Sequence, residues 1–166
     1  MNVEPNKPIV HIRPATPDDA LSIESVLFES FAEYEAFYTR EAFAATTPVA
    51  DRISSRMNEG PTWVALLRHS IVGTVSVVPK EEALYVRSMA VLPTARGHRI
   101  GELLLNEIEC YAVDHDYKRL FLNTTPFLSR AIRLYERFGF QRTVDGPHDL
   151  FGTPLFTMIK NLKALE

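Results

Sequence analysis

The sequence predicts a mixed α/β fold, because two kinds of hydrophobic pattern follow one another along its 166 residues. Residues 62–91 contain three short runs rich in β-branched and aromatic side chains, which is typical of an antiparallel meander. Residues 100–138 carry apolar side chains at helical spacing before and after one short buried run, which indicates a helix, a strand and a second helix. No repeat or linker divides the chain, so we expect a single domain over residues 1–166, with residues 1–8 as a flexible tail.

The first predicted elements are a strand and two helices. Residues Val10–Arg13 alternate between apolar and polar side chains, which predicts an opening strand. Thr16 as N-cap and Pro17 at the first helical position predict the start of a helix that extends to about Ala32. A second helix is predicted over Val49–Met57.

The meander comes next in the chain. The runs Thr62–Leu67 and Ile71–Val78 are separated by a short polar turn and predict a hairpin. Ala83–Val91 predicts the third strand of this meander.

The second half of the chain predicts a parallel crossover unit. A helix begins near Gly101, and the short apolar run Arg119–Leu122 then predicts a buried strand. Leu128–Phe138 predicts another helix, which ends at Gly139. Leu155–Ile159 predicts the final strand, and the predicted order of elements is β α α β β β α β α β β.

Composition excludes several classes of protein. The net charge of −3 gives no electrostatic reason to bind nucleic acid, and no apolar run approaches the roughly 20 residues needed to span a bilayer. The first residues lack the pattern of a signal peptide. The single cysteine, Cys110, suits a reducing compartment and is interpreted as a packed thiol on a helix, so we expect a cytoplasmic protein.

The turn Arg96–Gly101 is predicted to be an anion site, because it joins a strand to the start of a helix. The first N–H groups of a helix have no partner within the helix and carry partial positive charge, so they bind phosphate groups well. The turn adds cationic side chains, and its glycines let a ligand approach the backbone closely. The cationic residues are Arg96, His98 and Arg99, and the glycines are Gly97 and Gly101.

A second motif, Ser129–Phe140, contains an alanine, a Leu-Tyr pair and a final Gly-Phe pair. Together with the turn, it makes nearly the whole chain resemble the GNAT superfamily of acetyl-CoA-dependent N-acetyltransferases. The phosphate motif of that family is Arg or Gln, two residues, Gly, one residue, then Gly or Ala. Arg96 and Gly101 match its two ends, whereas Arg99 replaces the middle glycine. An arginine is tolerable there if its φ is negative, and its side chain could reach a phosphate or point into solvent.

The resemblance implies a fold, a reaction and a cosubstrate. The fold is a GNAT-like mixed sheet, in which an antiparallel meander joins a parallel β-α-β unit. The reaction is transfer of acetyl from acetyl-CoA to a primary amine of a small molecule or peptide by direct attack. The alternative is a non-catalytic acyl-CoA-binding sensor or interaction module, since the middle glycine and an evident carboxylate base are both missing. Neither metal, nucleic acid nor membrane is expected as a partner, and a homodimer stays open.

The resemblance also assigns residues to coenzyme A. The strand that ends at residues 89–91 is expected to splay from residues 120–123, so that the pantetheine arm enters the gap and pairs with the unpaired backbone. Asn123 and Ser129 are expected to contact the same arm. The complete set of expected cofactor residues is Met89, Ala90, Val91, Arg96, Gly97, His98, Arg99, Ile100, Gly101, Asn123 and Ser129.

Tyr135 is the expected catalytic residue, because the resemblance places it beside the sulfur of coenzyme A. A phenol is a plausible proton donor to the departing thiolate. The alternative interpretation is a helix tyrosine packed in the core. For the base that accepts the proton of the amine, Glu82 through a water chain and Tyr85 are the candidates. The alternative for both is a solvated strand entrance.

Acceptor recognition is expected in residues 31–38, which interleave aromatic side chains with Glu33 and Glu35. Aromatic rings and carboxylates together suit a cationic amine. The alternative is that these aromatic residues only pack the end of the helix. The candidate residues in this segment are Phe31, Tyr34, Glu35 and Tyr38.

Overall fold

A computed structural model describes residues 8–163 of the chain. Most of the expected tail, residues 1–7, lies outside the described residues. The extent of a single domain over residues 1–166 stays a prediction.

Within residues 8–163 the chain forms a mixed sheet flanked by helices. The strands are β1 (Val10–Pro14), β2 (Thr62–Leu67), β3 (Ser70–Lys80), β4 (Ala83–Val91), β5 (Arg119–Thr124), β6 (Gln141–Arg142), β7 (His148–Leu150) and β8 (Thr153–Asn161). The α-helices are α1 (Ala20–Phe31), α2 (Arg40–Thr46), α3 (Ala50–Arg56), α4 (Ile100–Asp114) and α5 (Ser129–Phe138). Short 3₁₀ helices occur at Pro17–Asp19, Ala32–Phe37 and Pro93–Ala95.

The sheet has the order β1-β2-β3-β4-β5-β8-β6, and β7 pairs with β8 outside this path. Strands β1 to β4 are antiparallel neighbours, whereas β4 and β5 pair in parallel across the connecting helix α4. The predicted fold class, an antiparallel meander joined to a parallel β-α-β unit, is confirmed.

The predicted order of elements misses α2 and one of the two short strands β6 and β7, because it places a single strand between α5 and the final strand. Helix α2 has only seven residues and buries only Ala42 and Phe43, so it shows no periodic apolar face. Its start is marked by Thr39, whose side chain accepts a hydrogen bond from the Ala42 N–H at 3.2 Å. The predicted end of the first helix near Ala32 is close to the observed end at Phe31, after which the chain continues as the 3₁₀ helix.

The core lies on both faces of the sheet, because alternate residues of a strand point to opposite faces. Trp63 and Ala65 pack with the buried residues of α4, whereas Val64 between them packs with α1 and Ile53 of α3. Cys110 is exposed, which corrects the expectation of a packed thiol. The reason is that α4 buries the face that carries Leu104, Leu105 and Ile108, and Cys110 lies outside that face.

Strands β4 and β5 separate after three residue pairs, from Ala83 with Arg119 to Tyr85 with Phe121. A β-bulge lies further along β4, where the pairing with β3 shifts by one residue between Ala90 and Arg87. Ser88 in this bulge has φ of +55°. Because a bulge bends its strand, the end of β4 turns away from β5 and leaves a gap between them.

Candidate active site

Two cavities open at the carboxyl end of β4. The larger cavity, of about 540 Å³, is lined by the end of β4, the turn that follows it, the start of α4 and one face of α5. The smaller cavity, of about 240 Å³, lies in the gap between β4 and β5 and is closed by residues of α2, α3 and the β7–β8 hairpin.

The two cavities share part of their lining, which we call the junction. The junction residues are Phe31, Met89, Leu128 and Tyr135. Met89 comes directly after the bulge residue Ser88, so the same backbone irregularity opens the gap and brings the end of β4 to the junction.

The turn before α4 presents a run of unpaired backbone donors. Within residues 8–163, the N–H groups of residues 97–102 donate to no backbone acceptor, and the first bond of the helix runs from Leu103 N–H to the Arg99 carbonyl at 3.1 Å. Gly97 has φ of +92°, and the place that a Cβ would take there is open space. An open cradle beside unpaired N–H groups at a helix start fits an anion such as a pyrophosphate.

Arg99 adopts the left-handed conformation, with φ of +58°. The structure therefore does not meet the condition under which an arginine was expected to be tolerated here, which was a negative φ. The backbone has the left-handed conformation that a glycine adopts easily, and Arg99 adopts it although it carries a side chain. That side chain lines the larger cavity but is 84% exposed, with its Nε 3.9 Å from Glu102.

Arg96 makes an ion pair that sequence reasoning did not foresee. Its Nη2 donates to Glu33 Oε1 at 2.6 Å, which ties the turn to the 3₁₀ helix Ala32–Phe37. Glu33 is therefore engaged by a cation of the protein itself. His98, expected to join Arg96 at the ligand, lines neither cavity, whereas Ile100 lines the larger one.

Gly101 lines the larger cavity, as expected of a cofactor residue, and it also has a packing role. A Cβ placed on Gly101 would lie 2.6 Å from Cδ2 of Leu134 in α5 and 3.6 Å from Cε of Met89. The missing side chain therefore lets α4 and α5 pack closely, and these two helices form adjacent walls of the larger cavity. Gly97 is the glycine that leaves room for a ligand.

Tyr135 is both a core residue and a cavity residue. It is 8% exposed, packs edge-on against Phe140 at 5.8 Å between ring centroids, and lines both cavities. Burial raises the pKa of its phenol well above the ordinary value, and Tyr38 raises it further. Tyr135 therefore keeps its proton at neutral pH, so in a proton transfer it can act as the acid but not as the base.

The aromatic segment expected to hold the acceptor forms a wall of the site. Tyr34 lines the larger cavity and Tyr38 the smaller one, and both rings pack on Phe127 of the β5–α5 loop, at 6.2 and 4.9 Å between centroids. Burial raises the pKa of Tyr38 to about 12. Glu35 is exposed and lines neither cavity, so the structure does not bring the expected carboxylates to the acceptor side.

The two candidate bases have different surroundings. Tyr85 lines the smaller cavity and stacks on Phe121 at 5.1 Å between ring centroids. Glu82 is exposed at the turn before β4, and its carbonyl accepts the Lys118 N–H at 2.7 Å. At about 3.3 Å per strand residue, Glu82 is roughly 20 Å along the chain from Met89 at the junction. The structure therefore does not bring the Glu82 carboxylate to the junction.

The remaining expected cofactor residues divide between the cavities and the surface. Ala90 and Val91 line the larger cavity. Asn123 lines the smaller cavity instead, and its Oδ1 accepts a hydrogen bond from the Thr157 hydroxyl at 2.6 Å. Ser129 is exposed at the start of α5 and lines neither cavity.

Arg56 and Arg87 are the charged residues of the smaller cavity to which sequence reasoning assigned no site role. Arg87 follows Tyr85 by two positions on β4, so the two side chains lie on the same face of the strand. The alternation of faces along a strand was the signal that could have found Arg87. Arg56 ends the short helix α3, and nothing in its local sequence marks it. Within residues 8–163, no group of three or more His, Cys, Asp or Glu is placed to hold a metal ion, and no helix is long and apolar enough to cross a membrane.

Comparison with known proteins agrees with this architecture. The sequence profile of the Acetyltransferase (GNAT) family matches residues 23–140. The chain is 27% identical over 146 residues to "Uncharacterized N-acetyltransferase YjgM" of Escherichia coli (strain K12), a match that covers 84% of this chain and 86% of that protein. It is 34% identical over 104 residues to "Probable N-acetyltransferase family 8 member 5" of Mus musculus, covering 58% of this chain and 46% of that protein. The chain thus spans under half the length of the mouse relative.

A solved structure shows the same fold. The PaiA N-acetyltransferase from Thermoplasma acidophilum, solved in complex with coenzyme A, superposes with a TM-score of 0.77 at 18% identity, covering 93% of this chain and 99% of that one. The family match, over more than half of the chain, establishes the class of protein. The chain belongs to the Acetyltransferase (GNAT) family and is an acyltransferase.

Proposed function

We propose that this protein transfers the acetyl group of acetyl-CoA to a primary amine by direct attack of the amine on the thioester. The observation that carries the proposal is the junction, where a cavity suited to an anionic cosubstrate meets a second cavity beside a buried, protonated tyrosine. The family of the chain uses acetyl-CoA, which supports the choice of acyl donor.

The larger cavity fits coenzyme A in shape and charge. The N–H groups of residues 97–102 and the open cradle at Gly97 would hold the pyrophosphate. Arg130 and Arg137 of α5 line the same cavity and add positive charge for a further phosphate. Beyond Tyr85 the side of β4 that faces β5 has no strand partner, and there the backbone of Met89–Val91 would pair with the amides of the pantetheine arm, as a strand pairs with an added strand.

Acetyl-CoA supplies the acetyl group to the reaction. A bond forms between the amine nitrogen and the carbonyl carbon, the carbon–sulfur bond breaks, and the sulfur needs a proton to leave as a thiol. Tyr135 is the donor in this proposal, because it is the protonated side chain that faces both cavities. The proton that the amine loses passes to water, since no described lining residue of the smaller cavity is acidic, and Tyr135 takes a proton back from water before the next turnover.

The proposal is tested by mixing purified protein with acetyl-CoA and a panel of primary amines. We expect thiol release that depends on the amine, with an N-acetylated product of the matching mass. If coenzyme A binds and no amine in the panel gives thiol or product, the proposal is overturned. The cytoplasmic location stays part of this proposal, supported by the single cysteine of the chain.

A further inference from the structure

The smaller cavity carries positive charge that its own lining does not balance. Arg56 and Arg87 line it, and none of the described lining residues is acidic. The carboxylate that pairs with Arg87 belongs to Glu59, which lies outside the lining and is itself half exposed. Arg56 has only a long hydrogen bond, from Nη2 to the Ala45 carbonyl at 3.4 Å, within the described part of the chain.

The two arginines interact unfavourably, because their like charges lie close together in a partly buried place. Burial, and then the like charge of Arg87, lowers the pKa of Arg56. In addition, Nε of Arg87 is buried without a hydrogen-bond partner among residues 8–163. A buried donor without a partner and two neighbouring like charges, of which only Arg87 has an ion-pair partner in Glu59, both destabilise a protein, and an anion bound beside them would relieve both.

The surroundings of the arginines favour a small anion with oxygen acceptors. Asn123 lines the same cavity, and because its Oδ1 already accepts from Thr157, its amide N–H groups are left to donate. The forked donors of a guanidinium match the two oxygens of a carboxylate. The cavity of about 240 Å³ suits one small molecule, and Arg87 precedes the junction residue Met89 by only two positions on β4.

We propose that the acceptor is a free amino acid, whose carboxylate is bound by Arg87 and Arg56 while its amine faces the junction. This inference rests on the proposed acetyl transfer. It replaces the expectation of a cationic acceptor recognised by carboxylates, because Glu33 is paired with Arg96, and Glu35 is exposed and lines neither cavity.

The test compares acceptors that differ only in the carboxylate. Each of the common amino acids is assayed beside its amide and beside the amine that lacks the carboxyl group. For the best acceptor, we expect kcat/KM to be about 30-fold or more above that of its amide and its decarboxylated amine, as is typical when a buried charge loses its partner. Amides or decarboxylated amines that react as well as the amino acids would overturn the inference.

Two variants test the binding residues directly. Arg87→Gln and Arg56→Gln should each reduce the preference for amino acid over amide at least about tenfold, mainly through KM, because a charged hydrogen bond is lost. Coenzyme A affinity should stay unchanged, which shows that the variants fold. Arg52→Gln is the matched control, because Arg52 lies one turn earlier on α3, is exposed and lines neither cavity.

The outcomes separate this inference from the proposed function. If no amine of any class is acetylated, the proposed function fails. If amines are acetylated but Arg87→Gln and Arg56→Gln keep the preference of the parent protein, or if Arg52→Gln changes it equally, only the assignment of the acceptor fails.

Discussion

The larger and the smaller cavity are built by different means. In the larger one, the donors proposed to hold the phosphates come from the main chain, as the consecutive N–H groups of residues 97–102 at the start of α4. The smaller one is made from side chains brought together from β4, β5, α2, α3 and the β7–β8 hairpin. A site made from consecutive backbone groups leaves a local motif in the sequence, whereas a site made from distant side chains does not.

The largest expected effect lies at the junction, where the two cavities meet. Tyr135→Phe should lower kcat about 10²- to 10⁴-fold while leaving the affinity for acetyl-CoA nearly unchanged, because only the proton donor is removed. Steady-state kinetics and calorimetry measure the two quantities. Tyr111→Phe is the control, since Tyr111 packs on Trp63 and lines neither cavity. An unchanged kcat with chemistry rate-limiting would remove Tyr135 from the mechanism.

The second prediction concerns the pH dependence of kcat/KM, which follows from the absence of an acidic side chain among the described lining residues of the smaller cavity. Without a carboxylate base, kcat/KM should rise about tenfold per pH unit below the pKa of the acceptor amine, as the fraction of free amine rises. Since burial raises the pKa of Tyr135, the proton donor should not be lost as pH rises to 10. A fall in kcat/KM between pH 8 and 10, without unfolding, would contradict this account.

The third prediction concerns the packing between α4 and α5 beside the larger cavity. Gly101→Ala should destabilise the fold by up to about 1 kcal/mol, because the cost of moving Leu134 exceeds what alanine gains over glycine within the helix. Thermal or urea denaturation measures this loss. Leu134→Ala in the same chain should remove most of the clash, so the two changes should not be additive. Additive losses would show that Gly101 is needed for another reason.

The smallest expected effect is at Arg99, where the backbone of the larger cavity already has a glycine-like shape. Arg99→Gly should leave stability equal or raise it by up to about 1 kcal/mol, because relief of the left-handed conformation outweighs the added freedom of the unfolded chain. Arg99→Ala keeps the positive φ and should gain nothing. If both variants lose coenzyme A affinity equally and strongly, the Arg99 side chain binds a phosphate.

The contrast between the cavities explains what the sequence could and could not predict. The fold class and the strand–turn–helix around residues 96–101 followed from periodicity and from a motif whose parts are adjacent in the chain. The conformation of Arg99 did not follow, because side-chain identity alone does not determine φ. The pairing of Arg96 with Glu33 joins residues 63 positions apart, and no local pattern predicts such a contact.

The binding site for the acceptor was the hardest part to predict, because residues that are far apart in the chain form it. The interleaved glutamates of residues 31–38 indicated a cationic acceptor, but the 3₁₀ helix that they form turns Glu33 to Arg96 and Glu35 to solvent. Arg56 enters the smaller cavity from a short helix whose place depends on the packing of Ile53 against α1. Only the assembled fold brings that arginine beside Arg87.

Titration of coenzyme A into the ¹⁵N-labelled protein of 18.8 kDa, followed by amide NMR, tests the central claim most directly. That claim is that backbone donors at the start of α4 hold the cosubstrate. The largest shifts on binding should come from the amides of residues 97–102, with smaller shifts along Met89–Val91. Saturable binding that leaves the amides of residues 97–102 no more shifted than those of α3 would contradict the account.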